Sequence, residues 1–505
     1  MPDASLHLSR IAGPVTAFAP WHVLLNLNLQ IPLLIQSPHM AMSCKPPKAR
    51  VRVVEGSCWP CKKRRIKCDL SKPTCSRCAK VGAACDYNQR LIRWSTRPAV
   101  TVPAIYRVTT HDEQLAGSLA VYEKRSLDYF HGRFWPLLST ASEPCAPPTM
   151  MALQHRVVLL ATCVLADSHR WLQDGRNSRS ILNVKRAECL AALRAEVDGC
   201  CSKEDGPLQT LLFAVLLLYF HDGFLECAQS SASTSSHRDG VLAIINQLGG
   251  MTTVLGTGQD PLHMMLSEFA TTDLTHAMLT GHPPSFSPAI WEVVDRGPVW
   301  WGRDTQGYCS LSTVFQEISS MAFYLDTTSR MVEEFSIERI RIYEAALRPT
   351  YASLAVEDLS SPRSSPMDHP PIECDAESAQ AFSMVRIFQH AALIYLYRAI
   401  CGLPANHPLV QQHTQSCLDC IFSIQKPSKI LNCAVLPMCI AGAHSQCPKQ
   451  QKHVRGLAGF IYDEIRFASV HSVIAVLEDI WKRAPEEDMT WNEMFMNLNS
   501  QAIIL

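Results

Sequence analysis

Six cysteines between Cys58 and Cys85 constrain this chain more than any other feature. The segment reads CWPCKKRRIKCDLSKPTCSRCAKVGAAC, with gaps of two, six, six, two and six residues, so a C-x2-C-x6-C unit occurs twice, displaced by 17 positions. A C-x2-C pair can present two thiolates to one tetrahedral ion at ~2.3 Å. Two separate four-sulfur sites would need eight sulfurs; six suffice only if two are shared. Cys58, Cys61, Cys68, Cys75, Cys78 and Cys85 therefore predict a binuclear cluster of two zinc ions. The segment is too short and too poor in large apolar residues to build a core, so metal binding has to supply its folding free energy. Three disulfides, or scattered buried thiols, are the other readings of the same six residues.

Between Cys61 and Cys68 lie Lys62, Lys63, Arg64, Arg65, Ile66 and Lys67, five cations around one apolar anchor. A short helix here would turn Ile66 inward and spread the cations outward. Arginine can hold guanine O6 and N7 in two places, lysine can donate to the same edge, and both neutralise phosphates. The cations would also offset the two negative charges left when six thiolates bind two divalent ions. A nuclear-import run, or a plain solvated face, is the alternative use of these side chains. The formal net charge of the 505-residue chain is zero, yet Lys45 to Arg97 holds fifteen basic and three acidic residues, a local +12 that leaves −12 on the remainder. A basic segment on an acidic body is the layout of a protein with a dedicated polyanion-binding end.

Twenty-one cysteines, an odd number, favour a reducing setting in which cysteine clusters bind metal rather than pair as disulfides. The apolar stretch Ile11 to Gln36 is interrupted by Pro14, Pro20, His22, Asn26, Asn28 and Pro32 and lacks the flanks of a secretory signal. Met40 and Met42 stand just before the cysteine segment, which leaves open whether residues 1–39 are translated. The longest uninterrupted apolar run, Leu211–Phe220, falls short of the ~20 residues of a membrane span, so no membrane partner is expected.

The cysteine segment resembles the fungal six-cysteine binuclear zinc cluster transcription factors. The likeness runs through all six cysteines, the basic run, Pro73 in the connecting loop and the trailing Cys85-Asp86-Tyr87. It implies that Cys58 and Cys75 are the bridging ligands. It also implies that Arg64 and Arg65 reach base edges of CGG-type half-sites from a helix in the major groove. Many relatives carry lysine at those two positions, and arginine donates differently.

Beyond the module the residues from Asp86 to about Gln114 are polar and interrupted by Pro98 and Pro103, a linker with no sustained heptads and so no long zipper. Farther on the apolar spacing is helical almost throughout. Leu119 to Trp135 forms one amphipathic run ending at Pro136. Val157, Leu160, Ala161, Val164 and Leu165 form a stripe flanked by polar His155, Arg156 and Asp167, and Leu208–Phe220 is apolar all round, as a central buried helix would be. Met384–Ile400 and Phe460–Trp481 are amphipathic, whereas Ser230–Ser236 and Leu359–Glu377 read as exposed loops. This body resembles the fungal-specific transcription factor domain through LDYFHGRFWPLLS (Leu127–Ser139), Gly175–Val197, TLLFAVLLLYF with HRDGVLAIINQLGG, and LPMCIAG (Leu436–Gly442). The resemblance implies an all-helical module that responds to an effector or partner.

No H-E-x-x-H, G-x-S-x-G, P-loop or dinucleotide-binding glycine pattern is present, so an enzyme is not expected. Cys417 and Cys420 form a second C-x2-C, with Cys433, Cys439 and Cys447 downstream, and read as thiols in a helical core; Trp300-Trp301 reads as packing.

The expected architecture is a small binuclear zinc-cluster module with two short helices, followed by a large all-α regulatory domain. The expected boundaries are a poorly ordered extension at 1–44, the DNA-binding module at 45–90, a linker at 91–114, and a helical domain at 115–358 and 378–505 split by a disordered loop at 359–377. The expected function is a nuclear, zinc-dependent, sequence-specific regulator of transcription by RNA polymerase II. Its expected partners are double-stranded DNA, a second copy of the chain, and the transcription machinery or a small-molecule effector. The rival is a zinc-stabilised scaffold that binds RNA or protein without reading DNA sequence.

Overall fold

The architecture follows the helical periodicity, and the cysteine segment belongs to a unit of its own. The computed structural model describes residues 58, 60–61, 64, 66–85, 119–141, 144–174, 179–200, 208–229, 232–302, 310–349, 376–483, 489–496, 498 and 502–504. The chain divides into two compact units, Ile31–Arg107 and the remainder. No strand occurs among the described residues. The expected extension, linker and loop at 359–377 lie outside the described residues, apart from the first residues of the helix that starts at Ala376.

In the small unit, one helical turn follows Cys58: Arg64 N donates to Pro60 O at 3.1 Å, and Ile66 N to Cys61 O at 3.1 Å. The second half carries helix α1 (Ser76–Ala79), whose N-cap Cys75 accepts from Cys78 N. Ala83 N donates to Cys78 O at 3.1 Å, the same bond as Ile66 to Cys61 moved along by the sequence repeat. Ile66 and Ala83 both pack on the cysteines. Gly82 takes φ +61°, a left-handed value that closes the short helix and that a side chain disfavours.

The helical body begins with α2 (Val121–Tyr129), which widens into an i+5-bonded turn over Phe130–Phe134 and tightens over Trp135–Leu138. Pro136 therefore sits inside the last tight turn instead of stopping the run. The principal helices that follow are α3 (Arg156–Asp174), α4 (Arg179–Cys200), α5 (Leu208–Phe220), α6 (Thr234–Gln247), α7 (Asp260–Thr280) and α8 (Leu311–Ser329). The second half holds α9 (Ala376–Tyr395), α10 (Pro408–Ser423), α11 (Val435–Ala443), α12 (Pro448–Ile465), α13 (Ser469–Arg483) and α14 (Trp491–Phe495).

Helix α5 is the centre of the first half, packed by α3, α4 and α6, with every residue from Thr210 to Phe220 buried. Each Leu or Phe there contributes about 1.5–3 kcal/mol by leaving water. With the turn that follows it, Leu208–Leu225 is long and apolar enough to cross a membrane, but 89% of it is buried inside the body, as in a core helix. Helix α9 organises the second half with α10 and α11, and α8 joins the halves by packing on both α7 and α9. Trp300 and Trp301 are buried against Phe315 and Trp291, as packing residues. Cys417, Cys433 and Cys439 are buried thiols, Cys420 is half-buried and Cys447 is exposed.

Three expectations need correction. Asp167, read only as a polar flank of the α3 stripe, is fully buried and accepts from Ser126 Oγ at 2.8 Å, Lys185 Nζ at 2.6 Å and Arg170 Nη2 at 2.5 Å. The Ser-rich stretch is not wholly a loop, since α6 starts at Thr234, which is buried. Phe460–Trp481 is not one helix: α12 ends where Arg466 turns left-handed at φ 54°, and α13 begins at Ser469.

Two further aspartates follow the pattern of Asp167. Asp222 accepts from Arg186 Nη2 at 2.6 Å, His221 Nδ1 at 2.7 Å and Ser233 N at 2.8 Å, and Asp273 accepts from Arg238 Nη2 at 2.6 Å and Ser285 N at 2.6 Å. Glu268 on α7 is different. It is buried without a hydrogen-bond partner among the described residues, and burial holds its carboxyl well above the usual range. It lines a cavity of about 20 Å³ with Asn432, whose Oδ1 also lacks a partner. That volume admits about one water.

Candidate metal centre and nucleic-acid interface

The fold of the small unit gathers its sulfurs into one cage. Cys58 Sγ lies 3.7 Å from Cys75 Sγ, 3.7 Å from Cys78 Sγ and 3.8 Å from Cys68 Sγ, and Cys61 Sγ is 3.7 Å from Cys75 Sγ. A tetrahedral ion with metal–sulfur bonds of ~2.3 Å needs sulfur–sulfur edges of about 3.8 Å, whereas a disulfide needs about 2.05 Å. The spacing suits a metal and leaves these cysteines unbonded to one another. Two quartets fall within 4.8 Å, Cys58–Cys61–Cys68–Cys75 and Cys58–Cys75–Cys78–Cys85, and both contain Cys58 and Cys75. The donor set, soft thiolates in two tetrahedral groups, fits zinc.

Crowding splits the thiols. Burial pushes Cys58 and Cys61 up and Cys78 up to about 11. Burial also opposes ionisation at Cys75, but hydrogen bonds from Cys78 and the neighbouring thiols bring it down to about 6. A bound divalent cation reverses this logic, because it stabilises every thiolate that touches it.

Among the described residues, the outer contacts of the cage include backbone amides and the cation of Arg64. Leu70 N donates to Cys68 Sγ at 3.4 Å and Cys75 N to Cys85 Sγ at 3.3 Å. Arg64 is exposed, yet its Nη2 donates to Cys78 Sγ at 3.4 Å and its Nε to Pro60 O at 3.2 Å. Lys67 is exposed, while Lys62, Lys63 and Arg65 lie outside the described residues.

Sequence reasoning passed over Asp69. Its carboxylate accepts from Ser76 N at 3.1 Å, Ser76 Oγ at 2.7 Å and Ser71 Oγ at 2.8 Å, tying the end of the first half to the start of α1. These bonds, Ser76 first, hold the carboxyl down at about 2. An acidic residue directly after the third cysteine, seven positions before a serine at a helix start, was the available signal.

Among the described residues of the body, an arrangement around His221 resembles catalytic chemistry. Ser168 Oγ is 2.9 Å from His221 Nε2, and His221 Nδ1 is 2.7 Å from Asp222 Oδ1, the order of contacts in a hydrolytic triad. All three residues are buried to within 2% of full enclosure. Asp222 is also spent on Arg186, so the group is a structural network closed to substrate.

Comparison with known proteins agrees with both units. Residues 125–505 match the fungal specific transcription factor domain, and residues 56–94 match the fungal Zn(2)-Cys(6) binuclear cluster domain. The chain is 29% identical over 124 residues to the transcriptional regulatory protein moc3 of Schizosaccharomyces pombe, which covers 24% of each chain. It is 35% identical over 91 residues to the thiamine biosynthesis regulatory protein of Saccharomyces cerevisiae, 18% of each chain. It is also 35% identical over 80 residues to the arginine metabolism regulation protein II of Saccharomyces cerevisiae, 14% of this chain and 9% of that one. The matched stretches thus span less than a quarter of these relatives' lengths. No solved structure matches the chain.

Proposed function

This chain belongs to the fungal transcription regulators that carry the fungal specific transcription factor domain, and on that premise we propose that it is a nuclear, zinc-dependent, sequence-specific regulator of transcription by RNA polymerase II. The observation that carries the proposal is the sulfur cage with its two quartets sharing Cys58 and Cys75, in a sequence that sets five cations between Cys61 and Cys68. In this reading Cys58, Cys61, Cys68, Cys75, Cys78 and Cys85 hold two zinc ions, with Cys58 and Cys75 bridging. Lys62, Lys63 and Lys67 neutralise phosphates, and Arg64 and Arg65 discriminate bases in CGG-type half-sites, at ~1–3 kcal/mol for each good bidentate pair. Residues 45–90 form the DNA-binding end and 91–114 the connection. The helical body sets activity through an effector, a second copy of the chain or the transcription machinery. Relatives named as regulators of thiamine biosynthesis and arginine metabolism support a role in metabolic gene control.

The test is a binding competition with the zinc-loaded full chain at moderate salt. A duplex with CGG triplets should outcompete a scrambled duplex by at least tenfold, and chelation should erase the difference. Equal binding of the two duplexes, or binding that survives chelation, would leave only the scaffold reading.

A further inference from the structure

We propose that the helical body binds a small zwitterionic α-amino acid with an apolar side chain, in a pocket between α6, α7 and α14. This rests on the reading of that body as the regulatory half of the protein. The pocket has a volume of about 330 Å³, within the range of metabolite sites.

Its chemistry is divided. Among the described residues, Arg238 is the one formally charged side chain that lines it, and no aspartate or glutamate does. Arg238 spends Nε and Nη2 on Asp273, and Nη2 also reaches Ser285 Oγ, which leaves Nη1 without a partner among the described residues. His276 lies in the same lining, and burial lowers its ring's affinity for a second proton, which favours the form with a single N–H. These two residues supply donors for a carboxylate.

The opposite requirement comes from the hydroxyls of α7. Thr272 Oγ1 donates to Phe269 O at 2.9 Å and Thr275 Oγ1 to Thr271 O at 2.9 Å, so each has given up its proton to its own helix. Tyr219 OH stands 3.0 Å from Thr272 Oγ1, and with the threonine proton on Phe269 O it is the tyrosine that donates. What these hydroxyls retain are lone pairs, which suit an ammonium group. Leu279, Phe495 and Ile503 form the apolar side. Donors for an anion, acceptors for a cation and an apolar wall together match a neutral zwitterion carrying a hydrocarbon side chain.

The probes are L-leucine, 4-methylpentanoate, which lacks the ammonium, and 3-methylbutylamine, which lacks the carboxylate. Each is titrated calorimetrically into the full-length zinc-loaded chain. Leucine should bind at least tenfold more tightly than either analogue. Thr275→Val, nearly isosteric, should weaken leucine about tenfold and leave 4-methylpentanoate unchanged. Ser235→Trp, at an exposed position on the lining, should block all three probes while the far-ultraviolet helical signal stays at the parent level. The pocket assignment is overturned if leucine fails to bind, if an analogue binds as well as leucine, or if Ser235→Trp binds leucine like the parent. The CGG-duplex competition is run on the same preparation. Preserved DNA selectivity with no leucine binding defeats only the pocket, and leucine binding with no DNA selectivity defeats only the transcription-factor reading.

Discussion

The guanidinium of Arg64 donates to the sulfur of Cys78 at 3.4 Å, crossing from the first half of the cysteine repeat to the second. The side chain that sequence reasoning assigned to a base edge thus also touches the cage. A cation beside a thiolate offsets charge that two divalent ions cannot fully neutralise. Arg64→Ala should therefore weaken zinc retention by about tenfold in a chelator competition, an effect of outer-contact residues that DNA is not needed to reveal. Arg65→Ala should relax base preference and leave zinc retention untouched. Equal zinc retention in Arg64→Ala and the parent would remove the second role.

Cys68 belongs to one quartet only, whereas Cys75 belongs to both. Cys68→Ala should abolish metal uptake and DNA binding together, because folding of the small unit and metal binding are one equilibrium. Metal analysis of the purified parent should give about two equivalents of zinc per chain. A parent with one equivalent and full DNA affinity would contradict the shared-edge arrangement.

Glu268 should make the stability of the body depend on pH. Its folded carboxyl sits above the ordinary value of 4.5, so the folded state keeps a proton that the unfolded chain releases. Stability from this group is therefore complete below about 4.5 and declines as pH rises toward the folded value. Glu268→Met should flatten that decline and raise the thermal midpoint at pH 8, by an amount equivalent to about 1–3 kcal/mol. Thermal scans of both proteins from pH 5 to pH 8 would check the slope.

Asp222 is the most heavily committed of the buried acids. Burial alone would raise its carboxyl, but contacts with His221 and His237 hold it well below its usual range. Asp222→Ala would strand Arg186 and His221 in the interior and should cost about 3–5 kcal/mol in urea unfolding. A loss under about 1 kcal/mol would mean that water takes over the broken bonds.

Gly223 accommodates the end of the described chain. Ile503 N donates to Gly223 O at 3.1 Å, and a Cβ on Gly223 would lie 2.1 Å from Ile503 Cδ1. Gly223→Ala should dislodge this tail and cost about 1–3 kcal/mol. Pairing it with Ile503→Ala should recover part of the loss, and a double mutant no better than the single would place the cost elsewhere.

The clustering of the sulfurs was legible in the sequence because its determinants are local: the repeat of Cys58, Cys61 and Cys68 at Cys75, Cys78 and Cys85 brings the thiols together without long-range information. The central position of α5 was legible for the same reason, since a segment with no polar face has nowhere else to go. Asp167 was misread because periodicity reports which residues are polar, not which have partners; Lys185 and Ser126 come from other helices. The break at Arg466 was hidden because a left-handed arginine leaves no glycine as a marker. The contact between Gly223 and Ile503 depends on how the last described residues meet the turn after α5, and no local pattern announces it.

Because Cys58 and Cys75 stand in both quartets, neither half of the cage has four walls of its own. An ion entering one side fixes two corners of the other, so half-filled molecules should be scarce at any zinc concentration. The protein would then respond to zinc supply at a threshold: below it the DNA-binding end is unfolded, and above it the end is complete.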